Sequence, residues 1–166
     1  MISLEDMLAA RDARAEKQRT LLAAHPGLTL AVLTVVWPGK IKRNADSLLT
    51  AKAAVEAMEK AFEGDIIYKE EQDLQTGYEA YWAIKGELHE IKRRTVELEE
   101  THPLGRLFDL DVINADGVPV SRTEVGAPPR RCLLCTHEAR YCMRNKTHTY
   151  EEILRKIKEM TDSYGH

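Results

Sequence analysis

The chain has 166 residues, enough for one domain with a well-buried core. Hydrophobic residues make up 43% and charged residues 31% of it, as in ordinary globular proteins. The formal net charge of −3 argues against a dedicated nucleic-acid binder, and no stretch approaches the roughly 18 apolar residues of a membrane helix. The acidic N-terminus carries no export signal. We therefore expect a cytoplasmic protein with neither a nucleic-acid nor a membrane partner.

The first half of the chain predicts two helices and three strands. A helix over 3–24 begins at Ser3, with Asp6 completing its cap. The nearly unbroken apolar run over 28–37 predicts a strand that is buried on both faces and therefore central in a sheet. The remaining elements of this half are a helix over 46–62 and two hairpin strands over 65–74 and 78–84.

The second half predicts a helix over 87–100, a strand over 106–113 and a return strand over 118–122, after a turn at Asp116 and Gly117. A final helix begins at Thr149, which forms a capping box with Glu152. This order predicts an α+β fold, with helices packed on a mixed, mainly antiparallel sheet. We expect a single domain over 1–166 that includes a segment rich in cysteine and arginine over 126–149.

Asp109 and Asp111 flank Leu110 inside an apolar strand, so their side chains share one face of it. Two carboxylates there repel each other and lose hydration, and a divalent cation such as Mg²⁺ compensates most directly. Gly105 before the strand allows close approach of the backbone to a ligand, and Arg106 offers a planar fork for phosphate. The alternative is an edge strand whose aspartates face water.

Three cysteines and one histidine have the spacing of a structural zinc site: Cys132, Cys135, Cys142 and His148. The alternative is three small buried hydrophobic side chains, and His137 is a less favoured ligand. Their clustering indicates reduced thiols rather than a disulfide framework.

Several blocks of the sequence resemble the apo-citrate lyase phosphoribosyl-dephospho-CoA transferases, also called holo-citrate lyase acyl-carrier-protein synthases. The first is Glu97-Leu98-Glu99 followed by HPLGRLFDLDV over 102–112, and the second is PPRRCLLC over 128–135. The remaining similar positions are Cys142, 146–148, Arg11-Asp12 and PGKIK over 38–42. The resemblance spans nearly the whole chain.

The resemblance implies a nucleotidyltransferase-like fold and a nucleotidyltransferase-type reaction. Family members transfer the phosphoribosyl-dephospho-CoA group from 2′-(5″-triphosphoribosyl)-3′-dephospho-CoA to a serine of the citrate lyase acyl carrier protein (gamma chain), and diphosphate leaves. Asp109 and Asp111 would hold Mg²⁺. Many nucleotidyltransferases place a Gly-Ser pair well before such aspartates. Here Gly105 and Arg106 directly precede the strand, and we hypothesise that Arg106 replaces that pair at the phosphates.

Other polar residues are candidates for the same site. Cationic side chains over 126–149 would bind the triphosphate or an acidic carrier protein, and those assigned to substrate are Arg130, Arg131, Arg144 and Lys146. His102 would act as a base at the serine or cap the preceding helix. The candidates for a third metal-binding carboxylate are Glu71, Asp73, Glu97 and Glu99.

Two other functions are compatible with the residues. One is a nucleotidyltransferase that uses an ordinary nucleoside triphosphate on a protein or small-molecule hydroxyl. The other is a non-enzymatic, zinc-containing adaptor, which would not need Asp109 and Asp111.

Overall fold

The structure, a computed structural model, describes residues 1–165. Its helices are α1 (Leu4–Ala24), α2 (Ala45–Ala61), α3 (Leu88–Thr101), α4 (Ala139–Asn145) and α5 (Tyr150–Gly165). Its strands are β1 (Thr29–Val35), β2 (Ile66–Leu74), β3 (Gly77–Ile84) and β4 (Phe108–Ile113), and short 3₁₀ turns cover Gly105–Leu107 and Thr123–Val125.

The helix ends follow local hydrogen-bonding chemistry. At α1, the Ser3 hydroxyl accepts from the Asp6 N–H at 3.0 Å, and the Asp6 carboxylate accepts from the Ser3 N–H at 3.0 Å. Thr149 and Glu152 make the same reciprocal pair before α5, at 2.9 and 3.1 Å. Each pair satisfies N–H groups that the first turn leaves without partners, and both predicted capping boxes are confirmed.

The four strands form one antiparallel sheet in the order β2-β3-β1-β4. β1 is central and its first five residues are buried, as its apolar run predicts. The α+β class is confirmed, and all three strand pairs are antiparallel rather than mixed. The nucleotidyltransferase-like topology stays a prediction. In the described residues, no helix has the length and apolar character needed to cross a membrane.

The two faces of the sheet differ in what covers them. The larger core lies on one face, where β-strand residues such as Leu33 and Phe108 pack with side chains of α2, α3 and α5. On the other face, which we call the α1 face, Leu21 of α1 packs on Leu30 and Val32. The α1 face therefore has a smaller apolar cluster and leaves part of β4 available to polar groups.

The outer edge of β4 is covered by side chains. The Leu110 N–H donates to Glu99 Oε2 at 2.9 Å, and Lys92 Nζ donates to the Leu110 carbonyl at 3.3 Å. Arg130 donates to the Phe108 carbonyl at 2.7 Å. β4 is thus an edge strand in the sheet order, but its backbone groups are satisfied by protein partners.

Two local predictions are wrong, and one helix was missed. The strand predicted over 106–113 begins at Phe108, because Gly105–Leu107 forms a 3₁₀ turn. The return strand predicted over 118–122 is a single bridge between Ile113 and Pro119, since proline lacks the N–H that a longer ladder needs. Helix α4 was not predicted, because it is short and mostly exposed.

Candidate active site

Asp109 and Asp111 lie together on the α1 face of β4. Asp109 is opposite Thr34 of β1 and Asp111 is opposite Val32, whose side chain belongs to the α1-face cluster. Both aspartates are half-buried, and the Thr34 hydroxyl donates to Asp109 Oδ2 at 3.3 Å. The predicted alternation of β4 is confirmed: the aspartates share one face, and Phe108, Leu110 and Val112 point into the larger core.

The electrostatic surroundings of Asp111 favour its neutral form. Burial and then the charge of Asp109 raise the pKa of Asp111 to about 6, and Glu99 adds to this. The cations Lys92 and Arg14 act in the opposite direction without cancelling the effect. At neutral pH the ionised pair therefore carries an electrostatic cost, which a bound divalent cation would offset. Oxygen ligands on one strand face are the donors that Mg²⁺ prefers.

Two charged residues on the α1 face were not predicted from the sequence. Glu79 of β3 is only 4% exposed, and its Oε1 accepts from the Tyr81 hydroxyl at 2.6 Å. Its Oε2 pairs with Arg14 of α1 at 2.9 Å. An acid inside the apolar run of β3 was a usable signal for Glu79, whereas nothing in the pattern of α1 distinguished Arg14.

Three of the four predicted candidates for a third carboxylate lie apart from the aspartate pair, and the fourth, Glu99, bonds to Leu110 between the two aspartates. Glu71 and Asp73 are on the other face of the sheet, since Glu71 is opposite the core residue Ala80. Glu97 is exposed on α3. Within residues 1–165, the one cluster of three or more metal-ligand side chains is the group of cysteines and His148.

Glu99 has a structural role at the edge of β4. Its Oε2 accepts from the Leu110 N–H and from Arg130, and its Oε1 accepts from Arg122 at 2.7 Å. The side chain is 3% exposed, so these bonds replace its lost hydration. A buried carboxylate with this many partners fixes α3 and the 122–130 segment against β4.

Arg106 and Arg130 are also held by protein acceptors. Arg130 donates to Glu99 at 2.7 Å and to the carbonyls of Arg106 and Phe108 at 3.1 and 2.7 Å. Arg106 donates to the carbonyls of Arg131 and Cys132. Their guanidinium groups connect the cysteine segment to β4, and the phosphate role given to them stays a prediction.

Gly105 permits a close approach of backbone to backbone. A Cβ atom at this position would lie 2.4 Å from the Leu98 carbonyl oxygen and 2.5 Å from the Glu99 carbonyl oxygen. The physical reason for glycine here is therefore packing against the end of α3, and its role in ligand binding stays a prediction.

His102 lies on the face of the sheet opposite the aspartates. It is the C-cap of α3, its Nδ1 accepts from the Leu104 N–H at 3.0 Å, and its ring packs 4.8 Å from that of Phe108. Burial lowers the pKa of His102. The backbone of His102 thus ends α3, while its ring bonds to the turn that follows and not to the free carbonyls of the helix end. The role as a base at the serine stays a prediction.

The predicted zinc ligands do come together. The ligand atoms of Cys132, Cys135, Cys142 and His148 all lie within 4.8 Å of one another. The Sγ atoms of Cys135 and Cys142 are 3.4 Å apart, and His148 Nε2 is 3.4 Å from Cys135 Sγ. A tetrahedral zinc places such atoms roughly 3.5–3.8 Å apart, so the cluster is compatible with a structural zinc ion.

Local backbone groups favour a thiolate at this cluster. Burial raises the pKa of Cys132, but the N–H groups of Leu134 and Cys135 outweigh it and lower the pKa to about 7. None of the three cysteines forms a disulfide. A largely apolar cavity of about 330 Å³ adjoins the cluster, with Trp37 and Ile157 in its lining.

The remaining predicted substrate-binding residues lie on the surface. Arg131, Arg144 and Lys146 are exposed, and Lys146 ends α4 in the left-handed conformation with φ of 49°. They surround the cysteine cluster and not the aspartate pair. Their positions suit contact with a large anionic ligand or protein more than contact with the reacting phosphorus.

Comparison with known proteins identifies the family. The family model described as apo-citrate lyase phosphoribosyl-dephospho-CoA transferase matches residues 2–164. A probable apo-citrate lyase phosphoribosyl-dephospho-CoA transferase from Streptococcus pyogenes is 37% identical, over 98% of this chain and 87% of that protein. A probable transferase of the same name from Vibrio cholerae is 36% identical, over 99% and 94% respectively. The chain therefore belongs to the family of apo-citrate lyase phosphoribosyl-dephospho-CoA transferases.

Proposed function

We propose that this chain transfers the phosphoribosyl-dephospho-CoA group from 2′-(5″-triphosphoribosyl)-3′-dephospho-CoA to a serine of the citrate lyase acyl carrier protein. The serine Oγ–P bond forms at the α-phosphorus while the bond from that phosphorus to the leaving diphosphate breaks, and the hydroxyl proton passes to solvent. The observation that carries the proposal is the half-buried pair Asp109 and Asp111, in a chain of this family.

The aspartate pair would hold the magnesium that such a transfer uses. Asp109 is oriented by the Thr34 hydroxyl, and Asp111 lies where burial and its neighbour disfavour a bare charge. When bound, Mg²⁺ would reduce the negative charge of the triphosphate. Both carboxylates project from the rigid strand β4, which favours a fixed alignment of the reacting groups.

The cysteine segment would contribute binding rather than chemistry. With zinc in the cluster, the backbone around Arg131 would be held rigidly beside exposed Arg144 and Lys146. This group of cations would attract the phosphates of the donor or an acidic carrier protein. The neighbouring apolar cavity would suit the pantetheine arm of the donor. The reduced thiols fit the cytoplasm as the place of action.

A single transfer experiment tests the proposal. The protein is incubated with the apo carrier protein, Mg²⁺ and either the CoA-derived triphosphate or ATP, and the carrier is weighed by intact mass spectrometry. We expect the mass of phosphoribosyl-dephospho-CoA to be added from the first donor and nothing from ATP. Addition from ATP would instead support an ordinary nucleotidyltransferase, and no addition from either donor would support an adaptor.

A further inference from the structure

A small polar recess lies beside the aspartate pair on the α1 face. Its volume is about 130 Å³, and its lining includes Arg14, Thr34, Lys42 and Glu79. Thr34 connects it to the site, because its hydroxyl donates to Asp109. Small-molecule sites usually measure about 300–1,000 Å³, so the recess suits a small anion and not a whole nucleotide.

Arg14 is held in the recess by a buried acid. Its NH1 donates to Glu79 Oε2 at 2.9 Å, and Glu79 is itself held by the Tyr81 hydroxyl. Among residues 1–165, Glu79 is the only acceptor within hydrogen-bond distance of the Arg14 guanidinium. Since a guanidinium has five N–H donors, Arg14 retains donors for a ligand while Glu79 fixes its direction.

Lys42 supplies a second cation to the same recess. Its Nζ donates to the Trp37 carbonyl at 2.6 Å, and no carboxylate pairs with it within the described part of the chain. Lys42 is half-buried, and this loss of hydration lowers the pKa of its ammonium group. An ammonium group has three N–H donors, so two of them are free for an anion.

We propose that this recess binds the diphosphate portion of the donor that leaves, through Arg14 and Lys42. The proposal rests on the proposed function, which requires a diphosphate leaving group at Asp109 and Asp111. Two cations face one neutralising acid, Glu79, so the recess has a positive balance that suits an anion. Charge-assisted bonds from a planar arginine fork to phosphate are short and directional. Glu79 is then a positioning residue for Arg14.

Calorimetric titration of the full chain with inorganic diphosphate and Mg²⁺ tests the recess without any transfer step. We expect Arg14→Met and Lys42→Met each to weaken diphosphate binding at least tenfold. The matched controls are Arg19→Met and Lys60→Met, exposed cations elsewhere, which should bind as the unmodified chain does. Unchanged affinity in both recess variants would overturn the proposal, whether or not the chain catalyses transfer.

Two further measurements control for misfolding of the variants and for the identity of the ligand. Because Arg14→Met leaves Glu79 buried without its partner, the double variant Arg14→Met with Glu79→Gln removes both members of the ion pair and keeps Lys42 as the remaining cation. We expect it to bind diphosphate at least tenfold more weakly than the unmodified chain while its melting temperature is retained. Dephospho-CoA, titrated in parallel, carries the other diphosphate of the donor. If the recess variants weaken dephospho-CoA binding but not that of inorganic diphosphate, the assignment to the leaving group is wrong.

Discussion

Replacement of Asp111 by asparagine should stabilise the protein while it abolishes transfer. The amide is nearly the same size as the carboxylate and keeps a polar group on the α1 face, but it carries no charge. The raised pKa of Asp111 means that its ionised form is better accommodated in the unfolded chain than in the folded one. The substitution removes this cost, so stability and function are expected to change in opposite directions.

The magnitude follows from the change in pKa. A rise from 3.8 to about 6 in the folded state corresponds to a ceiling of about 3 kcal/mol at 1.36 kcal/mol per pKa unit. We expect about 1–3 kcal/mol, since the asparagine side chain must itself be hydrogen-bonded. For an acid whose folded pKa is raised, the cost is absent below the unfolded pKa and grows as pH rises to the folded pKa. The stability difference should therefore be small at pH 4, about 0.5 kcal/mol, and reach its plateau above pH 6.

Urea unfolding in magnesium-free buffer between pH 4 and 8 measures this difference for Asp111→Asn against the unmodified chain. Effects of pH on the cysteine cluster act on both proteins and cancel in the difference. Asp116→Asn, an exposed turn residue, is the matched control and should change stability by less than about 0.5 kcal/mol at any pH. A loss of stability in Asp111→Asn at pH 7.5, or a gain that does not depend on pH, would refute the reasoning.

Other parts of the structure give predictions of their own. Cys135→Ser should abolish stoichiometric zinc binding and lower the melting temperature. Elemental analysis of protein purified without chelator measures the zinc content, and a fully active metal-free protein would contradict a structural zinc site. Gly105→Ala should cost about 1–3 kcal/mol or more in denaturant unfolding, because its Cβ would overlap carbonyl oxygens of α3, and a neutral result would show that this contact relaxes freely. Glu99→Ala should cost about 3–5 kcal/mol, because it leaves the guanidinium groups at the edge of β4 without their shared acid, and a cost below about 1 kcal/mol would contradict that role. Arg131→Ala should weaken donor binding at least severalfold in titration with little change in melting temperature, since its side chain is exposed, and unchanged affinity would count against its assignment to substrate.

The parts of the fold that local chemistry determines could be predicted from the sequence. β1 is identified by its apolar run, because only a central strand is buried on both faces. The starts of α1 and α5 are identified by side chains that bond the first free N–H groups. The common face of Asp109 and Asp111 follows from the alternation of a strand, which needs no tertiary information.

The partners of those elements could not be predicted in the same way. Arg14 and Glu79 are 65 residues apart, and they meet only because α1 crosses the face of β3. The sequence pattern likewise does not distinguish a guanidinium that binds phosphate from one that bonds to carbonyl groups, as Arg130 does. Helix α4 has no glycine at its end: Lys146 adopts the left-handed conformation there, so the usual stop signal is missing.

The cysteine cluster could be predicted from the sequence only in part. Residue types and spacing indicated the ligands, because zinc accepts a narrow set of donors at short separations. The four ligand atoms converge, so the geometry is compatible with a structural metal, and the bound zinc stays a prediction. The apolar cavity beside it was not predictable, because its walls come from separate parts of the chain: the segment after β1, the 3₁₀ turn before β4, the segment over 126–149 and α5.

The most direct test of the central claim is diphosphate release by Asp109→Asn and by Asp111→Asn, each with the apo carrier protein, the CoA-derived triphosphate and Mg²⁺. If the two aspartates hold the metal at the reacting phosphate, each variant should fold as the unmodified chain does and release diphosphate at least 100-fold more slowly, an effect on the order of 3 kcal/mol in the barrier. Asp116→Asn should release it at the normal rate. Near-normal release by either aspartate variant would contradict the claim.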